Sequence, residues 1–86
     1  MYRVEFSKNA EKKLKKLTGL QIKNVVSVIE KLEQDPFQVS LKTHKLSGSL
    51  KGYYSCSINY SDRIIFIIVI KKVVTITDIG SHDNVY

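Results

Sequence analysis

The 86-residue sequence predicts an α+β fold in which a two-helix hairpin packs on a mainly antiparallel four-stranded sheet, in the order β-α-α-β-β-β. Three observations predict it. Residues 2–6 alternate apolar and polar side chains, and residues 8–34 carry apolar side chains at helical spacing in two successive segments. After Pro36 the pattern turns extended and culminates in a run that is apolar on both faces.

In the first segment Tyr2, Val4 and Phe6 alternate with Arg3 and Glu5, the pattern of a half-buried strand. Ser7 suits an N-cap. Ala10, Leu14 and Leu17 then form the apolar side of a first helix, Lys12, Lys13, Lys15 and Lys16 its other side, and Thr18-Gly19 ends it. A second helix runs from about Leu20 to Gln34 on a stripe of Ile22, Val25, Val26, Ile29 and Leu32. Asp35-Pro36 closes it, because the residue before a proline is pushed out of helical geometry. Tyr53 to Ile58 sets Tyr54, Cys56 and Ile58 on a dry face and Tyr53, Ser55 and Ser57 on a wet one. Arg63 to Ile70 is apolar on both sides and reads as a central strand covered on both faces. Lys71-Lys72 makes the turn, Val73 to Ile79 the last strand, Gly80 breaks it, and Ser81 to Tyr86 form a short tail.

A chain of this length holds one domain, spanning 1–86, and its 43% hydrophobic and 26% charged residues suit a protein with a real core. The single cysteine, Cys56, excludes an internal disulfide framework and paired-cysteine zinc sites, and favours a reducing compartment. No apolar run exceeds Ile64 to Ile70, far short of the roughly 20 residues of a membrane helix, so the expectation is a cytoplasmic protein without membrane contact. Gly19, Gly48, Gly52 and Gly80 never fall into a nucleotide-binding spacing, which argues against nucleotide hydrolysis. The net charge of +6 favours a polyanionic partner. Its distribution is more telling. From Phe37 to Ser61 there is no acidic residue, while Lys42, His44, Lys45 and Lys51 fall there and Arg63 follows. That stretch is either a phosphate-facing surface or an ordinary solvated loop.

The run His44-Lys45-Leu46-Ser47-Gly48-Ser49-Leu50-Lys51-Gly52-Tyr53, then Asp62-Arg63-Ile64-Ile65-Phe66, and the ending Gly80-Ser81-His82-Asp83-Asn84-Val85-Tyr86 resemble the RelE/ParE toxin superfamily, most closely its YafQ and YoeB branches. The resemblance covers nearly the whole chain and implies a RelE-like fold and the toxin of a type II toxin–antitoxin system. It further implies a ribosome-dependent endoribonuclease that cuts messenger RNA and is silenced by an antitoxin. In this resemblance His44 and Lys51 match the histidine and lysine of the YafQ loop, and Arg63 matches an arginine of YoeB-like members. His82 and Tyr86 match the closing histidine and aromatic residue, and Asp62 an acidic residue of YafQ, with the loop here one residue longer. Two positions depart from the pattern: Ser57 stands where YafQ carries a further active-site histidine, and Ser40 near the glutamate of YoeB.

Metal-free RNA cleavage needs a base for the 2′-hydroxyl proton, cations for the phosphorane and an acid for the leaving 5′-oxygen. Histidine titrates near working pH, and arginine and lysine carry fixed charge. The expectation is therefore His82 as general acid, His44 as general base, and Arg63 and Lys51 on the scissile phosphate. Tyr86 would donate a hydrogen bond or stack on a base, and Lys42, Lys45 and Tyr53 would contact RNA or ribosome. Tyr53 has the alternative of shielding a sheet edge. No cofactor is expected: His44, His82, Cys56 and Asp83 are metal-ligand types, but no close-spaced pair organises them. Cys56 reads as a buried structural thiol. The expected partners are an acidic, partly disordered antitoxin, meeting Lys12, Lys13, Lys15 and Lys16, together with messenger RNA and the ribosome, and DNA only through the antitoxin complex. The competing functions are a ParE-like gyrase poison, against which His82 and Tyr86 argue, and an inactive member that acts only as a binding partner or co-repressor.

Overall fold

The structure, a computed structural model, describes residues 1–70 and 72–81. The chain runs through β1 (Arg3–Phe6), α1 (Lys8–Lys15), α2 (Gly19–Gln34), β2 (His44–Lys45), β3 (Tyr54–Ser57), β4 (Asp62–Val69) and β5 (Val73–Ser81). The strands form one sheet in the order β1-β5-β4-β3-β2. β1 lies parallel to β5 and every other pairing is antiparallel. The α+β expectation of two helices on a mainly antiparallel sheet therefore holds, with five strands in place of four. The extra strand, β2, has only two residues, too few for any periodicity to reveal.

Ser7 caps α1 as expected, its Oγ accepting from the Ala10 amide. Thr18 begins a helix and does not end one. Its hydroxyl accepts from the Gln21 amide while the Gln21 side chain accepts from the Thr18 amide, a reciprocal capping box that starts α2. The apolar side of α2 is also rotated from the expected stripe. Val25, Val28 and Leu32 are buried with Ile29 against them, whereas Ile22 and Val26 are 41% and 49% exposed. Val25, Val28, Ile29 and Leu32 stand at i, i+3, i+4 and i+7, and only this set faces Phe66, Ile64 and Ile76 of the sheet.

On the sheet, Cys56, Tyr54 and Ile58 join the helix-side core as expected, Tyr54 stacked on Phe66 at 5.5 Å between ring centroids. The other face of β3 is not uniformly wet, since Ser55 is fully buried. It lies beside Ile65 across the ladder, and Ile65 is buried although it stands outside the helix-side cluster, so β4 is covered on both faces there. Gly80 does not break the last strand. It pairs with Arg63 inside β5, which runs on to Ser81. Lys71, half of the expected turn, lies outside the described residues, and so does the tail beyond Ser81.

Candidate active site

The brevity of β2 decides where a cleft can open. β2 pairs only with Tyr54 and Ser55, leaving the outer edge of β3 at Cys56 and Ser57 without a neighbouring strand. There an open cleft of about 860 Å³ lies between the end of β3 and α2. Helix α2 lines it with Asn24, Ser27, Val28 and Lys31, again at i, i+3, i+4 and i+7 and hence on one face. The segment after α2 adds Ser40 and Lys42, and the end of β3 with its turn adds Ser57, Asn59, Tyr60 and Ser61. Arg63 and Ser81 complete the wall. Among the described residues the cleft thus carries the cations Lys31, Lys42 and Arg63 and no carboxylate. Like charges along one concavity focus potential on an anion.

Two of these cations are held by the backbone around them. Arg63 Nη1 donates to the carbonyls of Asn59, Tyr60 and Asp62 at 3.0, 3.3 and 3.0 Å, which clamps the turn over the guanidinium root. A guanidinium has five N–H donors, so this engagement is compatible with anion binding through its remaining ones. Lys42 sits in the left-handed region at φ 52, its amide bonded to the Val39 carbonyl. That conformation costs a non-glycine residue about 1 kcal/mol.

The remaining candidates fall into separate places. His44 is exposed on β2, its Nδ1 3.3 Å from the Lys42 carbonyl. A carbonyl only accepts, so this contact suits the tautomer that carries its proton on Nδ1, in which Nε2 is the free acceptor. Lys51, Lys45 and Tyr53 line a second concavity of about 450 Å³ with Gly48 and Gly52, apart from the Arg63 cleft. Asp62 lines a smaller cavity with Gln21 and Gly80, its Oδ2 accepting from Asn59 Nδ2 at 3.2 Å. His82 and Tyr86 lie outside the described residues, and Ser81, which precedes His82, lines the cleft. Ser40 and Ser57, where toxins of the resembling branches carry a glutamate and a histidine, both line it too. A hydroxyl there offers a hydrogen bond but no proton-accepting group near neutral pH. Asn24, Ser27, Lys31 and Tyr60 were not foreseen. The polar spacing Asn24, Ser27, Lys31 would have marked the first three, had Val28 been placed in the core.

Burial pushes the Cys56 thiol up to about 12, outweighing the nearby Arg63 charge and the Ile64 backbone hydrogen bond, which both pull it down. The thiol is buried in the helix-side core, as a structural cysteine would be. A folded-state value above the unfolded one makes the stability contribution complete below about 9 and lost as pH climbs toward about 12. Urea titrations of the protein and of Cys56→Ala are therefore expected to diverge across that range, by about 1.4 kcal/mol per pH unit. Equal slopes, or rapid alkylation of the native thiol at pH 8, would contradict the assignment.

A family model described as the bacterial toxin of type II toxin–antitoxin systems, YafQ, matches residues 2–86. The chain belongs to the YafQ family. Among solved structures, YafQ from E. coli strain BL21(DE3) superposes with a TM-score of 0.82 at 18% identity, covering 100% of this chain and 99% of that one. The toxin in the RelBE2 toxin–antitoxin complex from Mycobacterium tuberculosis gives 0.80 at 24% identity, covering 94% and 98%. That of the archaeal RelE–RelB complex from Pyrococcus horikoshii OT3 gives 0.75 at 25%, covering 93% of each chain. Among curated proteins none is significantly similar in sequence. The RelE-like fold and membership among type II toxins, expected from the sequence, are thus both found. Among the described residues of this YafQ-family toxin no helix is long and apolar enough to cross a membrane.

Proposed function

We propose that this toxin is an endoribonuclease, one domain spanning 1–86, that cuts messenger RNA on the ribosome in the cytoplasm by metal-free acid–base chemistry. The observation that carries the reading is the cleft that joins Arg63, Lys42 and Lys31, has no carboxylate among its described residues and ends at Ser81, the residue before His82. Such a site suits a phosphodiester, whose transition state gathers negative charge that fixed cations stabilise. Arg63 and Lys42 hold the scissile phosphate, His82 protonates the leaving 5′-oxygen, and His44, basic at Nε2, takes the 2′-hydroxyl proton. Asp62, turned to the Asn59 side, orients the turn that bears Arg63. Lys51, Lys45 and Tyr53 bind the flanking strand in the second concavity, and Tyr86 steadies a base. Ser40 and Ser57 offer hydrogen bonds but no base, which leaves both proton transfers to His44 and His82. An in-vitro translation reaction given the toxin tests this: a message cut at codons occupying the decoding site is expected. Intact message with arrested supercoiling would mean a gyrase poison, and intact message with neither effect an inactive binding partner.

The antitoxin is the second part of the reading, supported by the relatives solved as toxin–antitoxin complexes. Lys12 and Lys15 on α1 and Lys16 at its C-cap are exposed, whereas Lys13 is bound to Asp78 at 2.9 Å and belongs to the fold. An acidic segment that folds on binding therefore has Lys12 and Lys16, one helical turn apart, as its anchor. Lys12→Glu with Lys16→Glu is expected to weaken antitoxin binding about tenfold or more, at up to about 1 kcal/mol for each exposed ion pair lost, with RNA cleavage nearly unchanged. Calorimetry against the co-expressed antitoxin measures the first and the translation assay the second. A fall in cleavage with antitoxin affinity intact would move α1 to the ribosome-binding surface.

A further inference from the structure

Tyr60 is 98% exposed at the tip of the β3–β4 turn, yet the backbone beneath it is tightly held. Asn59 Oδ1 accepts from the amides of Ser61 and Asp62 at 3.0 and 2.9 Å, and the Ile58 amide reaches the Asp62 carbonyl at 2.9 Å. The Arg63 guanidinium donates to the carbonyls of Asn59 and Tyr60. The ring itself stabilises nothing in the fold, and its exposure keeps apolar surface in water at a cost. A rigid mount for an aromatic ring with no partner among the described residues is the arrangement of a docking group.

Its surroundings say what docks. Tyr60 stands on the rim of the cleft that carries Arg63, Lys42 and Lys31, between the polar neighbours Asn59 and Ser61. An apolar protein side chain would meet mostly polar groups and cations there, with only Val28 and Ile58 as apolar neighbours. A nucleotide matches this mixture, since its base has apolar faces and polar edges and its phosphate is anionic, and aromatic rings beside cations are how single strands are held. The bond from Arg63 to the Tyr60 carbonyl couples the phosphate cation and the ring into one unit. We propose that Tyr60 is a nucleobase-stacking residue, the platform for a base adjoining the phosphate held at Arg63. This rests on the RNA-cleaving reading and adds the residue that grips the base.

The test compares wild type, Tyr60→Ala and Tyr60→Phe in two arms: message cleavage on programmed ribosomes, and binding of a short 2′-O-methyl RNA without ribosomes. Tyr60→Ala is expected to raise KM about tenfold with kcat little changed, the scale of one lost base stack. Tyr60→Phe should stay within about twofold, because stacking resides in the ring. If the oligonucleotide arm weakens in parallel, the base belongs to the message; if only the ribosome arm weakens, it belongs to ribosomal RNA. Unchanged values for Tyr60→Ala in both arms overturn the proposal. So does an equal loss in Tyr60→Phe, which would make the hydroxyl the contact, or a loss confined to antitoxin affinity, which would make the ring a protein contact. A wild type that cleaves nothing but binds the oligonucleotide in a Tyr60-dependent way would sink the nuclease reading and leave the stacking in place. Binding in neither arm would sink both.

Discussion

His82→Gln is expected to abolish growth arrest and to lower message cleavage by about 100-fold or more, the scale of a lost general acid. The leaving 5′-oxygen departs as an alkoxide unless a proton reaches it, and glutamine offers a hydrogen bond without a transferable proton near neutral pH. Antitoxin affinity and thermal stability should hold, because glutamine is close to histidine in size and polarity and the substitution removes only the transferable proton. Quench-flow cleavage on programmed ribosomes, with a melting curve on the same sample, measures both. Undiminished cleavage would remove His82 from the mechanism. A rise in cleavage of His82→Gln with added imidazole would identify the missing group as a proton donor.

The next largest effect is expected from Arg63→Ala. Loss of the guanidinium removes the proposed phosphate contact and also the clamp on the β3–β4 turn, where Nη1 holds three carbonyls. Cleavage should fall by about 100-fold, as for other electrostatic transition-state groups. The slope of log affinity against log salt should flatten by about 0.7, one single-strand phosphate contact. Arg63→Lys separates the two roles: it keeps the charge and most of the salt slope but loses the planar fork. Lys72→Ala is the control, since Lys72 lies in the opposite turn of the β4–β5 hairpin over the Tyr2 ring, 5.4 Å from its centroid. An unchanged salt slope in Arg63→Ala would mean that this cation faces no phosphate.

Much of the fold was legible because hydrophobic periodicity reports burial directly. Cys56 falls in the core where alternation put it, and Ile64 and Phe66 are buried as a strand apolar on both faces requires. What escaped were features too short or too ambiguous for periodicity. β2 has two residues, and the Thr18-Gly19 pair resembles a helix end when the capping glutamine at position 21 is not weighed. On α2 a valine at 25, 26 and 28 leaves two helical faces open to choice, and only the sheet selects between them. The site was half legible. Arg63 and Lys42 share the cleft, but Lys51 lies on its own side of β3, whose four residues span about 10 Å at strand rise. The contribution of α2 depends on packing between segments distant in sequence. Tyr60 carries no sequence signal at all, because a tyrosine in a turn looks the same whether its ring packs or stands free.

The most direct measurement is the chemistry of the cut ends. Message cleaved by the purified toxin on programmed ribosomes is treated with phosphatase and kinase and its ends are mapped. Attack by the 2′-hydroxyl, with His82 protonating the leaving oxygen and Arg63 on the phosphate, leaves a 2′,3′-cyclic phosphate on the upstream fragment and a 5′-hydroxyl on the downstream one. The yield should be unaffected by chelators at concentrations that keep ribosomes intact. A 3′-hydroxyl with a 5′-phosphate, or cleavage that stops when divalent ions other than magnesium are removed, would contradict acid–base cleavage in this cleft.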